Sequence, residues 1–335
     1  MAAFSPLLDV LADVPDPRRR QGMKYKMPHV LLFAILAIGT GCNSCRGIAP
    51  FIDVHRHRLN RAFGLKWKRA PAHTAMRYIL LGPDPTAVEV SFRRHAALLQ
   101  AARATPGQGS IALDGKTLRG SFDNFHKRAA IQVLSAFATD TALVLAHIDI
   151  AETFNEIPAA QTLLAELGVP SSAIVRRRGQ RRALIVQVKD NQPKPRRAPR
   201  RHRLDPANKL ADIGWHPHVA AMIRVERDVF ARNTRTRLLH HSTETAFYVS
   251  NRAITAGRAA EAIRAHWRME PPHYSRDVTL GEDRSRIRTN PGVFARLRSF
   301  GFNILKANKT GALRQDRYRA TLAGIGNLIK ILAIS

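Results

Sequence analysis

The run MPHVLLFAILAIGTGC, residues 27–42, constrains the chain more than any other stretch. It holds no Lys, Arg, Asp or Glu, so in water it would expose a continuous apolar cylinder. A membrane span is a poor fit, because the run carries His29 and two glycines and falls short of the ~20 apolar residues a span requires. It also lacks the extreme N-terminal position of a signal peptide. The spacing predicts a buried helix, and a buried helix needs neighbours around it.

Candidate neighbours flank it. LLDVLADV has helical spacing and stops at PDPRRR, where prolines and arginines mark a loop. SCRGIAPFIDVHRHRLNRAFG sets apolar residues on one helical face and His and Arg on the other. After KWKRAPAHTAMRYILLGPDP comes AVEVSFRRHAALLQAA, again amphipathic. A first domain over 1–103 is therefore expected to be all-helical, with ATPGQGS giving a linker over 104–110.

From 111 the apolar period shortens to that of strands. IALDG, AIQVLSAFA and ALVLAHIDI read as strands, the last two as a hairpin. EIPAAQTLLAELG reads as a helix with Gly168 as its C-cap, SSAIV as a fourth strand and ALIVQVKDNQP as a strand ending in a turn. RVERDVFA and TAFYVSN add strands; AGRAAEAIRAHWRME, GVFARLRSFGFNILKAN and ATLAGIGNLIKILA read as helices. The order predicts an α/β domain over 111–335 built on a mixed sheet.

Charge narrows the function. Lys and Arg number 54 against 25 acids, a formal net charge of +29. These cations run through folded-looking sequence, so a nucleic acid is the expected partner and a membrane is not. An aberrant stretch lies at about 176–206, where RRRGQRRALIVQVKDNQPKPRRAPRRHR holds one acid, Asp190. Cys42 and Cys45 form a lone C-x-x-C, short of zinc-site spacing, and read as small near-core residues in a reducing cytoplasm.

Several stretches then carry a resemblance together: LADVPDPRRRQGMKY, IALDGKTLRG, FNEIPAAQTLLAELG, VQVKDNQP and IRAHWRMEPPHYSRDVTLGEDRSRIRTNPGVFARLRSFGFNIL. In this order they resemble the bacterial insertion-sequence transposases of the H-repeat-associated group, in the DDE superfamily. The resemblance implies a helical N-terminal DNA-binding region and a ribonuclease H-like core. It implies Mg²⁺-dependent (or Mn²⁺-dependent) cleavage at element ends and strand transfer to target DNA. Double-stranded DNA, a homo-oligomer on that DNA and a nucleoid setting follow as expectations.

In that family three carboxylates hold two divalent cations, which activate the attacking oxygen and neutralise the leaving one. Hard Mg²⁺ takes oxygen ligands, so the site needs acids. Asp114 matches the first carboxylate and Glu270, in HWRME, the third. Pro271 and Pro272 follow Glu270 where relatives continue with Asn, so the helix is expected to stop there. Relatives place the second aspartate directly after the strand that SSAIV matches. Here no acid lies over 175–183, and Asp190 belongs to the KDNQP motif. Asp205 and Asp212 are conceivable stand-ins. One hypothesis covers both the gap and the basic text: a deletion with two frame changes, correct reading resuming near Lys209. The alternative frames of the gene should then encode an aspartate-bearing segment.

Other residues match family motifs: Asn155, Glu156, Lys189, Asn191, Gln192, His266, Trp267, Asp277, Glu282 and Asp283. For the last three, salt bridges to Arg276, Arg284 and Arg286 are the plain alternative. For DNA, RAPAHTAMRYIL suits the second helix of a helix-turn-helix, with His73, Thr74 and Arg77 near its start. Arg18, Arg19 and Arg20 suit phosphates, as do Lys116 and Arg119 just past Asp114. Two other classes stay open: a non-catalytic DNA-binding relic, supported by the missing aspartate, and a basic RNA-binding protein. The latter usually shows clustered aromatic platforms, whereas aromatics are 7% here and scattered.

Overall fold

The computed structural model describes residues 5–104, 111–123, 125, 129–150, 156–167, 185–188, 220–232, 238–250, 253–267, 275–309, 311–322 and 324–333. The elements in chain order begin with α1 (Ser5–Ala12), α2 (Met27–Thr40), α3 (Cys45–Phe63), α4 (His73–Leu81) and α5 (Pro85–Ala101). Next come β1 (Ile111–Thr117), β2 (Gln132–Ala138), β3 (Val144–Ile150), α6 (Glu156–Glu166), β4 (Ile185–Val188), β5 (Ala221–Arg232), β6 (Leu239–Ser250) and α7 (Ala256–Trp267). A π-helical turn (Ser275–Thr279) precedes α8 (Pro291–Ala307), α9 (Leu313–Leu322) and α10 (Gly324–Ala333). Two compact units result, Met1–Leu163 with Arg268–Ser335, and Leu164–Trp267.

In the first unit, α2 is the buried helix its composition demands, with residues Val30 to Gly39 all buried. Helices α1, α3 and α8 pack around it. No single described helix is long and apolar enough to cross a membrane. Local signals place the helix ends. Ser44 caps α3 by accepting from the Gly47 amide, and Gly64 ends it in the left-handed region at φ 64°. Asp84 caps α5 by accepting from the Thr86 and Ala87 amides, with Pro85 at the first helical position.

Strands β1, β2 and β3 form an antiparallel meander in that order. Residues of this sheet share one apolar core with the N-terminal helices and α8: Ala112, Phe137 and Val144 lie in the same cluster as Leu32, Phe92 and Phe300. The expected division at 104–110 is thus not a boundary between cores. The physical reason is α8, whose buried residues run from Pro291 to Leu305 and need cover on every side. Helices α2 and α5 supply part of that cover.

The second unit pairs β4, β6 and β5 antiparallel, and Ala259 and Ile263 of α7 pack on Ile223 and Tyr248 of the sheet. The β5–β6 pairing runs from Ala221 opposite Ser250 to Arg232 opposite Leu239, longer at both ends than the sequence pattern suggests. All described pairings are antiparallel, so the mixed sheet is not formed among the described residues. The strand expected over 171–175, the cap at Gly168 and much of the basic stretch 176–206 lie outside the described residues. At the C-terminal end, the single helix expected over 320–333 is two, because Gly324 adopts φ 72°.

Candidate active site around strand β1

Asp114 lies within β1, opposite Ser135 of β2, which is in turn opposite His147 of β3. Directly opposed residues share a face, and alternation puts Lys116 on the face of Asp114. Ser135 and His147 are buried, so this is the inward face. Asp114 itself is half-buried.

Lys116 meets three carboxylates. Its ammonium pairs with Asp277, lies 2.8 Å from Asp283 and 3.3 Å from Glu282. Arg276 closes the cluster, donating to Glu282 at 3.2 Å and to the Ser135 hydroxyl at 3.3 Å. Burial alone would raise the Glu282 carboxyl, but Arg276, Lys116 and Arg298 outweigh it and hold the pKa at about 2. Asp277 goes the other way, raised by burial more than Lys116 lowers it. Burial lowers the Lys116 pKa, yet Glu282, Asp277 and Asp283 reverse this and leave it raised.

Two expectations are corrected by this cluster. Lys116 is turned toward carboxylates rather than a phosphate, because strand alternation faces it inward. Asp277 and Asp283 find Lys116 rather than Arg284 or Arg286, while Glu282 does pair with Arg276. Arg119, in the short 3-10 turn after β1, is exposed. A third correction concerns Arg18, whose guanidinium is buried against Asp16 and donates to the Gly22 and Tyr25 carbonyls. It shapes the 16–25 loop; Arg19 and Arg20 are exposed.

Sequence reading missed how the two motifs lock. A Cβ on Gly120 would lie 1.7 Å from the Ser285 carbonyl oxygen, so the end of IALDGKTLRG touches the backbone of GEDRSR directly. Gly120 itself and the alternation along β1 were the available signals.

A second polar cluster lies behind β3. Glu89 of α5 accepts from the His147 amide at 2.6 Å, His147 Nδ1 at 3.0 Å, Arg296 Nε at 3.0 Å and Arg93 Nε at 2.8 Å. Burial disfavours its charge, but His147 and Arg296 outweigh that and its pKa falls to about 2. His147 Nε2 faces Ser299 Oγ at 2.8 Å. Burial lowers the His147 pKa more than Glu89 raises it, and the Ser299 hydroxyl also donates to the Ala295 carbonyl at 3.1 Å. The Ser–His–Glu order imitates a hydrolytic triad, but Ser299 and His147 are 0% and 1% exposed, so no substrate reaches them. The cluster ties α5 and α8 to β3.

In the N-terminal region, His73, Thr74 and Arg77 are exposed on α4 while Met76, Ile79 and Leu80 face the core. The connection from α3 to α4 covers 64–72, longer than the 3–4-residue turn of a helix-turn-helix, so that motif is not formed. Cys42 and Cys45 pack against the core, both thiols raised chiefly by burial. Glu270, Asn155, Lys189, Asn191 and Gln192 lie outside the described residues, as do the side chains of Glu156, His266 and Trp267.

Known proteins are similar to this chain over nearly its whole length. The family model described as DDE_Tnp_1-associated matches residues 8–96, from α1 into α5. The Escherichia coli K12 protein named "H repeat-associated putative transposase YhhI" is 26% identical over 361 residues, covering 94% of this chain and 94% of its own length. "Putative transposase YncI" of E. coli O157:H7 is 24% identical over 365 residues, covering 96% and 93%. "Putative protein YbfL" of E. coli K12 is 26% identical over 361 residues, again covering 94% of each chain. The chain is thus similar over nearly its full length to H repeat-associated putative transposases, and its N-terminal region matches the DDE_Tnp_1-associated family model.

Proposed function

We propose that this chain is an insertion-sequence transposase by descent that engages double-stranded DNA and has lost strand cleavage. The relatives' names and the net charge of +29 support the DNA half of the reading. The acid inventory beside β1 carries the other half. Two divalent cations need three carboxylates; Asp114 shares its strand face with Lys116, and the acids that Lys116 and Arg276 meet, Asp277, Glu282 and Asp283, have their charges already answered. Among the described residues no group of three His, Cys, Asp or Glu is placed to hold a metal ion. No acid stands over 175–183, where relatives place the second aspartate. Among the described residues, an acid set already met by Lys116 and Arg276 supports a site that no longer holds two metals.

A second reading is favoured by one observation: a carboxylate on the first strand of an antiparallel meander is how a ribonuclease H-like core begins. In that reading Asp114 and Glu270 hold Mg²⁺ or Mn²⁺ with a relocated third ligand, Asp205 or Asp212.

Incubating full-length protein with duplexes carrying the element's own ends, with Mg²⁺ or Mn²⁺, separates the two. Salt-sensitive binding without nicking, unchanged by Asp114→Ala, is the expected result. Specific nicking abolished by Asp114→Ala would overturn the loss of cleavage and turn the search to that third ligand.

A further inference from the structure

A surface that meets the duplex can be assigned, provided the chain engages DNA as proposed above. With Arg18 turned inward and α3 and α4 joined by more than a helix-turn-helix turn, the connection between them becomes the candidate. Residues 45–81 contain one acid, Asp53, and Arg56 already holds it at 2.6 Å. Around it Arg58, Arg61, Lys66, Lys68, Arg69 and Arg77 are all exposed.

The connection is anchored at several points. Trp67 packs edge-on against Tyr25, ring centroids 4.9 Å apart, and against Phe33 at 5.4 Å. Asn60 grips the Trp67 backbone from both sides, donating to its carbonyl at 2.9 Å and accepting from its amide at 3.3 Å. The Tyr25 hydroxyl donates to the Arg69 carbonyl at 3.1 Å. A loose loop would let Lys66, Lys68 and Arg69 spread apart; these anchors hold their backbone together. Packing like charges this way costs free energy that only a polyanion returns.

We propose that double-stranded DNA binds across this Trp67-anchored connection, with α3 and α4 on its flanks. On α3 the exposed cations are Arg46 near its start and Arg58 and Arg61 near its end. Arg58 and Arg61 near the C-terminal end of α3 lie next in sequence to the connection and can extend its contacts with the phosphates. His73, Thr74 and Arg77 of α4 are exposed beside the connection.

The test compares full-length wild type, the triple variant Lys66→Glu, Lys68→Glu, Arg69→Glu, and a control with the same charge change, Arg258→Glu, Arg264→Glu, Lys309→Glu. Affinity for a mixed-sequence duplex is measured by fluorescence anisotropy across a KCl series. Reversing three phosphate contacts should weaken binding about 100-fold or more and lower the slope of log K against log salt by about 3. The control should stay within about threefold of wild type. Thermal melts check folding; should the Glu variant unfold, Lys66→Gln, Lys68→Gln, Arg69→Gln carries the same comparison. A triple variant that binds like the control overturns the surface while leaving the DNA reading standing. Wild type that ignores duplex DNA, or prefers single-stranded RNA, overturns both.

Discussion

Single residues fix the junction between the two motifs. Gly120 has no substitute, because a methyl group there would sit 1.7 Å from the Ser285 carbonyl oxygen and neither backbone can yield cheaply. Gly120→Ala is expected to cost about 3 kcal/mol by overpacking, read as a lower urea midpoint. An unchanged midpoint would mean the contact is not made. Lys116 poses an electrostatic question at the same junction. Replacing it by Met strips Asp277, Asp283 and Glu282 of their shared cation and should destabilise by about 2–3 kcal/mol at pH 7. The sign with pH follows from Asp277, whose folded pKa is raised mainly by burial. A raised carboxyl binds its proton more readily in the folded state, so lowering the pH from 7 toward 4 relieves the repulsion. The gap in Tm between Lys116→Met and wild type should therefore narrow as the pH falls, and a gap that widens sinks the assignment.

Elements show what the sequence could and could not tell. The period of 3.6 found every helix of the N-terminal region, because each buries one stripe and the capping residues at Ser44 and Asp84 are local. The β2–β3 hairpin was legible for the same reason. Helix α8 was legible only as apolar; its polar stripe was not, since its partners lie far away in the chain. Arg296, Ser299 and Asn303 fall on one face and meet Asp149, His147 and Val144 of β3 in turn. The Asn303 side chain accepts from the Val144 amide at 2.9 Å and donates to its carbonyl at 2.8 Å, standing in for an edge-strand neighbour. Asn303→Leu removes both bonds while roughly preserving volume, leaving a buried amide and carbonyl unmet. A loss of about 2–4 kcal/mol is expected, with amide exchange at Val144 accelerated. Native-like exchange in the variant would mean β3 is held by something else. Asp114 was readable as a carboxylate at a strand, but the pairing of its neighbour Lys116 with Asp277 and Glu282 depended on contacts across more than 150 residues.

For the molecule as a whole, the linker-like composition over 104–110 suggests two domains that fold apart, and packing argues otherwise. Leu32 and Phe33 of α2 and Phe92 of α5 lie in one core cluster with Phe294, Phe300 and Phe302 of α8. Glu89 of α5 completes its hydrogen bonds only with His147 of β3 and Arg296 of α8. Cutting the chain at the linker would strip α2 and α5 of that apolar cover. It would also leave Glu89 without two of its three partner residues, His147 and Arg296. A carboxylate held at about pKa 2 by those neighbours would return toward its ordinary value, and its contribution to stability above pH 4.5 would vanish. The fragment 1–103 is therefore expected to be helical by far-UV circular dichroism yet to melt without a cooperative transition, and to bind a dye for exposed apolar surface. The full chain should melt cooperatively under the same conditions. If the fragment instead unfolds with a sharp transition, its helices close a core of their own, and α8 is not the shared centre on which the first unit depends.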